Sequence, residues 1–165
     1  MNHDWNQIAD LLRQELAEYG GLLHAFEQQE AAVLAADPER VLRLNAEIEA
    51  QVIVLKECRS RREEAVAGFA ASCGQPRSST LRALLPRFPA EVQPLLEALI
   101  KEVNVLIHRV RRVSRHNQIL LARAVETHQQ ALRTLRPEAF TETYSAKGRT
   151  TLNTTLAKGA LSATG

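Results

Sequence analysis

Residues 96–135 read LEALIKEVNVLIHRVRRVSRHNQILLARAVETHQQALRTL, forty residues without a glycine or a proline. Leu99, Val103, Leu106, Val110, Val113, Asn117, Leu120, Ala124, Thr127 or His128, Ala131 and Leu135 recur at alternating steps of four and three. That spacing sets one stripe on an α-helix and defines a heptad seam. With Pro89 at its start and Arg136 at its end, the helix reaches about 70 Å. A helix of that length buries its stripe only against other helices, so the stretch fixes the class as all-α.

Two further helices supply the support. Leu12, Leu16, Tyr19, Leu23, Phe26 and Val33 repeat at the same steps, with Glu30 filling one seam position. Gly20 and Gly21 interrupt that helix, each costing about 1 kcal/mol relative to alanine, and mark a kink or a close helix contact. The run AADPERV at 35–41 ends it. There Asp37 caps the next helix, Pro38 suits its first position and Glu39 favours its positive end. The second stripe runs through Val41, Leu44, Ile48, Val52, Leu55, Cys58, Val66 and Phe69, and stops near Gly74 and Pro76. The long connection that follows holds a short helix, capped by Ser79, that runs through Leu84 and Leu85 and is closed by Pro86. The expected architecture is an antiparallel bundle of three long helices with coiled-coil-like packing, over about 4–36, 38–73 and 89–136. A flexible C-terminal tail covers 137–165. Within it Leu152, Leu156 and Ala160 give a weak amphipathic helix, too short to stand alone.

Composition narrows the function. Apolar residues are 45% and aromatics 4%, so the core is aliphatic. No apolar run approaches the roughly 18 residues of a membrane span, which excludes membrane insertion. The N-terminus lacks the basic start and apolar stretch of a secretion signal. Cys58 and Cys73 lie about 22 Å apart on one helix, too far for a disulfide. These features imply a cytoplasmic protein.

Catalytic motifs are absent: there is no GxGxxG, Walker loop, GxSxG, CxxC or HExxH. His3, His24, His108, His116 and His128 contain no pair at the helical spacing of three or four that a metal site needs. The expectation is a protein without enzymatic activity, cofactor or metal. Charge is uneven: residues 1–50 hold ten acids and three bases, and residues 101–123 hold six bases and one acid. Either these helices attract each other within the bundle, or the basic one serves an acidic partner. Arg109, Arg111, Arg112 and Arg115 have no interleaved aromatics for base stacking, so nucleic acid is not the expected partner. Asn117, polar within an apolar seam, either fixes register or meets a bound helix through its amide.

The order of these features resembles the FlgN family of flagellar type III export chaperones. The resemblance rests on AADPERVLRLNAEIEAQVIVL in the second helix, RHNQILLARAVETHQQALRTL in the third and TYSAKGR in the tail, and covers most of the chain. Ser145 stands where members often have glycine, and Ser114 where they often have the first of two asparagines. The resemblance implies a binder that holds hook-associated proteins, the subunits joining hook to filament, by their disordered terminal segments and delivers them to the export gate. It assigns the C-terminal part to clients, here Val113, Asn117, Leu120, Leu121 and Ala124. It assigns the tyrosine-bearing tail to the export apparatus, here Tyr144 and Gly148. A structural or adaptor coiled coil, forming a homodimer through the same seam, is the alternative.

Overall fold

In the computed structural model, backbone is described for residues 2–135, 140–144 and 150–154, and side chains for 5–135. The elements are α1 (Asn2–Leu34), α2 (Pro38–Ser72), α3 (Leu81–Leu84), a 3-10 turn (Leu85–Arg87), α4 (Gln93–Leu135), β1 (Phe140–Tyr144) and β2 (Thr150–Thr154). The chain divides into two compact units, Met1–Leu120 and Leu121–Gly165.

The ends of the helices follow from local chemistry. α1 closes through bonds from Asp37 N–H to the Ala32 carbonyl and from Ala36 N–H to the Val33 carbonyl. This double closure puts Ala36 in the left-handed region, at φ 52°. Asp37 then accepts a bond from Arg40 N–H at 3.0 Å and caps α2, with Pro38 in its first turn. α2 closes by the same pattern, with Gly74 at φ 68°. The short helix is capped by Thr80, one residue beyond the expected Ser79, and Pro86 falls inside the 3-10 turn. α4 begins at Gln93 instead of near Pro89. Residues 89–92 form a separate turn, in which Val92 N–H reaches the Pro89 carbonyl.

α1 and α2 form a close antiparallel hairpin, and α4 stands further off, meeting it mainly through side chains. α4 runs parallel to α1, since Leu12 and Val103 line one cleft while Phe26 and Gln29 meet Asn117. On α1 the buried seam is Ile8, Leu12, Glu15, Tyr19, Leu22, Phe26 and Gln29. The expected seam had Leu16, Glu30 and Val33 in it, and these are only half-buried. The true seam admits Glu15 and Gln29 because each finds a partner on another helix. The connection after α2 is part of the core: Leu81, Leu84, Phe88 and Val92 are buried with Ile8, Ala70 and Leu96. The Phe88 ring stacks on Phe69 with centroids 4.0 Å apart.

Glu15 is fully buried and accepts from Arg62 Nε at 2.6 Å; its Oε1 meets no donor among the described residues. Burial first, and then the Glu15 carboxylate, push the Tyr19 phenol above its ordinary range, while Arg59, Arg62 and Arg111 pull it back.

The tail departs from expectation. Phe140–Tyr144 and Thr150–Thr154 pair antiparallel, with Tyr144 opposite Thr150 and Glu142 opposite Leu152. Phe, Tyr and a concentration of threonines favour extended backbone, and this outweighs the weak helical spacing around Leu152. Leu156, Ala160 and Gly148 lie outside the described residues, as does most of the segment read as a flexible tail.

Stability outcomes follow from these contacts. A Cβ on Gly20 meets nothing within 4 Å, so Gly20→Ala should stabilise by about 0.5–1 kcal/mol. Ala36→Gly should stabilise by about 1 kcal/mol through relief of the left-handed strain. Urea unfolding measures both. Arg62→Ala leaves a buried carboxylate and should cost about 3–5 kcal/mol, whereas Glu15→Leu combined with Arg62→Leu should recover most of that loss.

Candidate functional site

The residue that the seam singled out is at the centre of a polar relay. Asn117 is 1% exposed. Its amide donates to the Phe26 carbonyl at 2.7 Å and to Gln29 Oε1 at 2.9 Å. The Gln29 amide in turn donates to Asn45 Oδ1 on α2. One chain of side-chain amides therefore links α4 to α1 and α1 to α2. Both Asn117 N–H groups are committed to α1, and its Oδ1 meets no donor among the described residues. These bonds do what a seam asparagine does when it sets register.

The other residues expected to meet a client are less enclosed. Val113 packs half-buried against the core, and Leu120, Leu121 and Ala124 are also half-buried. Beyond them α4 carries a series that shares Leu135, and His128 as one of two alternatives, with the heptad seam, while its other members lie one step from it. Leu121, Val125, His128, Leu132 and Leu135 lie at steps of four, three, four and three. Val125 is 55% exposed, Leu132 52% and Leu135 78%. The series was legible: at 3.6 residues per turn, a stripe starting from Leu96 and Val103 drifts onto Leu121, Val125 and Leu132. A strict 3.5 repeat lands on Leu120, Ala124 and Ala131 instead.

Tyr144 ends β1. Its backbone is paired with Thr150, so it lies within a hairpin instead of an irregular stretch. Among the described residues, acidic α1 and basic α4 meet in two charged contacts, Glu27 to Arg109 at 3.8 Å and Glu30 to His116 at 3.4 Å. No described helix is long and apolar enough to cross a membrane.

The first unit is an all-helical bundle, and α4 carries exposed apolar side chains at Val125, Leu132 and Leu135. The family model described as FlgN protein matches residues 1–151, and the chain belongs to the FlgN family, the chaperones of flagellar export. No curated protein and no solved structure matches the chain.

The relay makes a direct stability forecast. Asn117→Ala removes the second donor to the Phe26 carbonyl and the donor to the Gln29 side-chain oxygen. It should lower unfolding free energy by about 2–3 kcal/mol, read by urea denaturation.

Proposed function

We propose that the chain holds hook-associated flagellar proteins in the cytoplasm before export, through the C-terminal part of α4, and presents them to the export gate. The observation that carries the reading is the exposed series Val125, Leu132 and Leu135. α4 has 18 residues after Asn117, whereas α1 has only five after Gln29. An apolar stripe continued over that length offers anchors at i, i+4, i+7, i+11 and i+14, the spacing that receives an amphipathic helix. Exposed Val and Leu at these positions have no role in holding the described bundle, and singly exposed apolar residues do not ordinarily fall on one helical line.

The occupant is the terminal segment of a client that becomes helical on assembly. Leu121 and Ala124 begin the surface, and Asn117 acts behind it by fixing how α4 sits on α1. Shielding the client segment keeps it from pairing with its assembly partners too early. Tyr144 serves the later step, docking at the export apparatus, where its ring offers apolar area and a polar tip.

Leu132→Asp tests the reading. The site is exposed, so melting should shift by no more than about 0.5 kcal/mol equivalent. Capture of the purified terminal segment of a hook-associated protein should weaken at least about tenfold, as for loss of an interface anchor. Unchanged capture by this variant refutes the assignment. If the variant instead abolishes self-association of the parent chain in sedimentation, the adaptor coiled coil is the correct function.

A further inference from the structure

A second surface, chemically unlike the apolar stripe, lies on the first unit. His108 borders three adjoining depressions beside α4. One of them is a cleft of about 470 Å³ lined from α1, α2, α3 and α4. Its floor is apolar, made by Leu12, Leu81, Ile100, Val103 and Ile107, and its walls carry Arg59, Arg62, Arg82 and Arg111. Towards the α3 end it continues past Ile100 and Asn104 to Leu85 and Lys101. In the other direction it continues past Arg111 to Arg112, Arg115 and Ile119. On α4 the positions 104, 108, 111, 115 and 119 follow one another at three or four residues, so they share a face.

The positive charge in this groove is neutralised from within only in part. Arg59 pairs with Glu63 and Arg62 with Glu15. Among the described residues, Arg82, Arg111, Arg112 and Arg115 form no ion pair with a carboxylate. Glu97, at the α3 end, is the one carboxylate among the lining residues of the three depressions. Charges of one sign along a concave, low-dielectric wall focus their field outward.

We propose that this groove is a docking site for an acidic amphipathic segment of a partner protein. Guanidinium forks on the walls suit carboxylates, which they bind in paired hydrogen bonds. The Leu and Ile floor takes apolar side chains from the other face of the segment. The tail of this chain is not the occupant: residues 136–165 hold four bases and two acids. A second copy matches poorly. The outer face of α1 has the acidic charge, but Leu34 at its end is its one large exposed apolar side chain. Nucleic acid matches poorly as well, because no Phe, Tyr or Trp lines the groove to stack a base.

Fluorescence anisotropy with the full chain tests this. The probe is a labelled 18-residue synthetic helix with leucine on one face and glutamate on the other. Controls are the same composition scrambled and an oligothymidine of equal length. The expected result is saturable binding of the amphipathic probe, at least about tenfold weaker for the scrambled peptide and for Arg82→Gln/Arg111→Gln/Arg115→Gln, and weaker in higher salt. All three arginines are exposed, so the variant should keep the parent's circular dichroism and melting. Leu132→Asp should bind the probe like the parent, which separates this groove from the client stripe. Equal binding of the scrambled peptide, equal binding by the triple variant, or tighter binding of the oligothymidine overturns the proposal. So does loss of self-association as the only effect of the variant.

Discussion

Two amide hydrogens on Asn117 hold the bundle in one register. Heptad seams look the same after a shift of seven residues, so apolar packing by itself tolerates sliding of one helix along another. Asn117 removes that freedom on α4 by requiring the Phe26 carbonyl and Gln29 opposite it. Gln29 extends the constraint to α2 through Asn45. Fourteen residues earlier on α1, about 21 Å away, Glu15 does the same with Arg62. A slip of α4 by one heptad would break the Asn117 bonds, and a slip of α2 on α1 would break Gln29–Asn45 and Glu15–Arg62 together and leave a carboxylate buried alone, at a cost of several kcal/mol. The polar residues contribute less to net stability than the aliphatic seam, but they decide which of its alignments is used.

With register fixed, the spacing between helices shapes the surface. α1 and α2 approach closely, and Ala9 and Ala32 on α1 and Ala70 on α2 are fully buried. Gly21 allows the same closeness at Gln51, whose side-chain nitrogen would lie 2.6 Å from a Cβ there. α4 meets this hairpin through leucine and valine and stands further away. The connection after α2 fills part of the gap, with Phe88 stacked on Phe69 and Leu81 and Leu84 turned into the core. What it leaves open is the groove flanked by Arg82 and Arg111.

The chain belongs to the FlgN family, and its α4 carries two chemically unlike sets of side chains. One is aliphatic and lies between Leu121 and Leu135. The other is cationic and lies between Ile100 and Ile119. They are separate along α4, and the side chains that give each its character, Val125, Leu132 and Leu135 in one and Arg82, Arg111 and Arg115 in the other, are exposed. β1, which ends at Tyr144, and β2 follow α4 in the chain.

Three long helices, the Asp37–Pro38 turn and the stop near Gly74 were legible in the sequence. Heptad spacing, capping residues and left-handed glycine act over a few neighbouring residues and need no distant partner. The importance of Asn117 was legible as well, since a polar residue in an apolar seam is conspicuous in one dimension. Glu15 and Gln29 were not, because a carboxylate and an amide read as surface until Arg62 and Asn117 are known to stand opposite. The stripe Leu121, Val125, Leu132 was displaced by one step because a 3.5 repeat and a 3.6-residue helix diverge over forty residues. The hairpin at Phe140–Tyr144 was hidden because pairing depends on two segments meeting, while each alone resembles a loose, threonine-rich stretch. Local sequence determined where helices start, stop and turn their apolar sides. Tertiary packing alone decided which polar groups could be buried, because burial of a polar group is decided by the partner that reaches it.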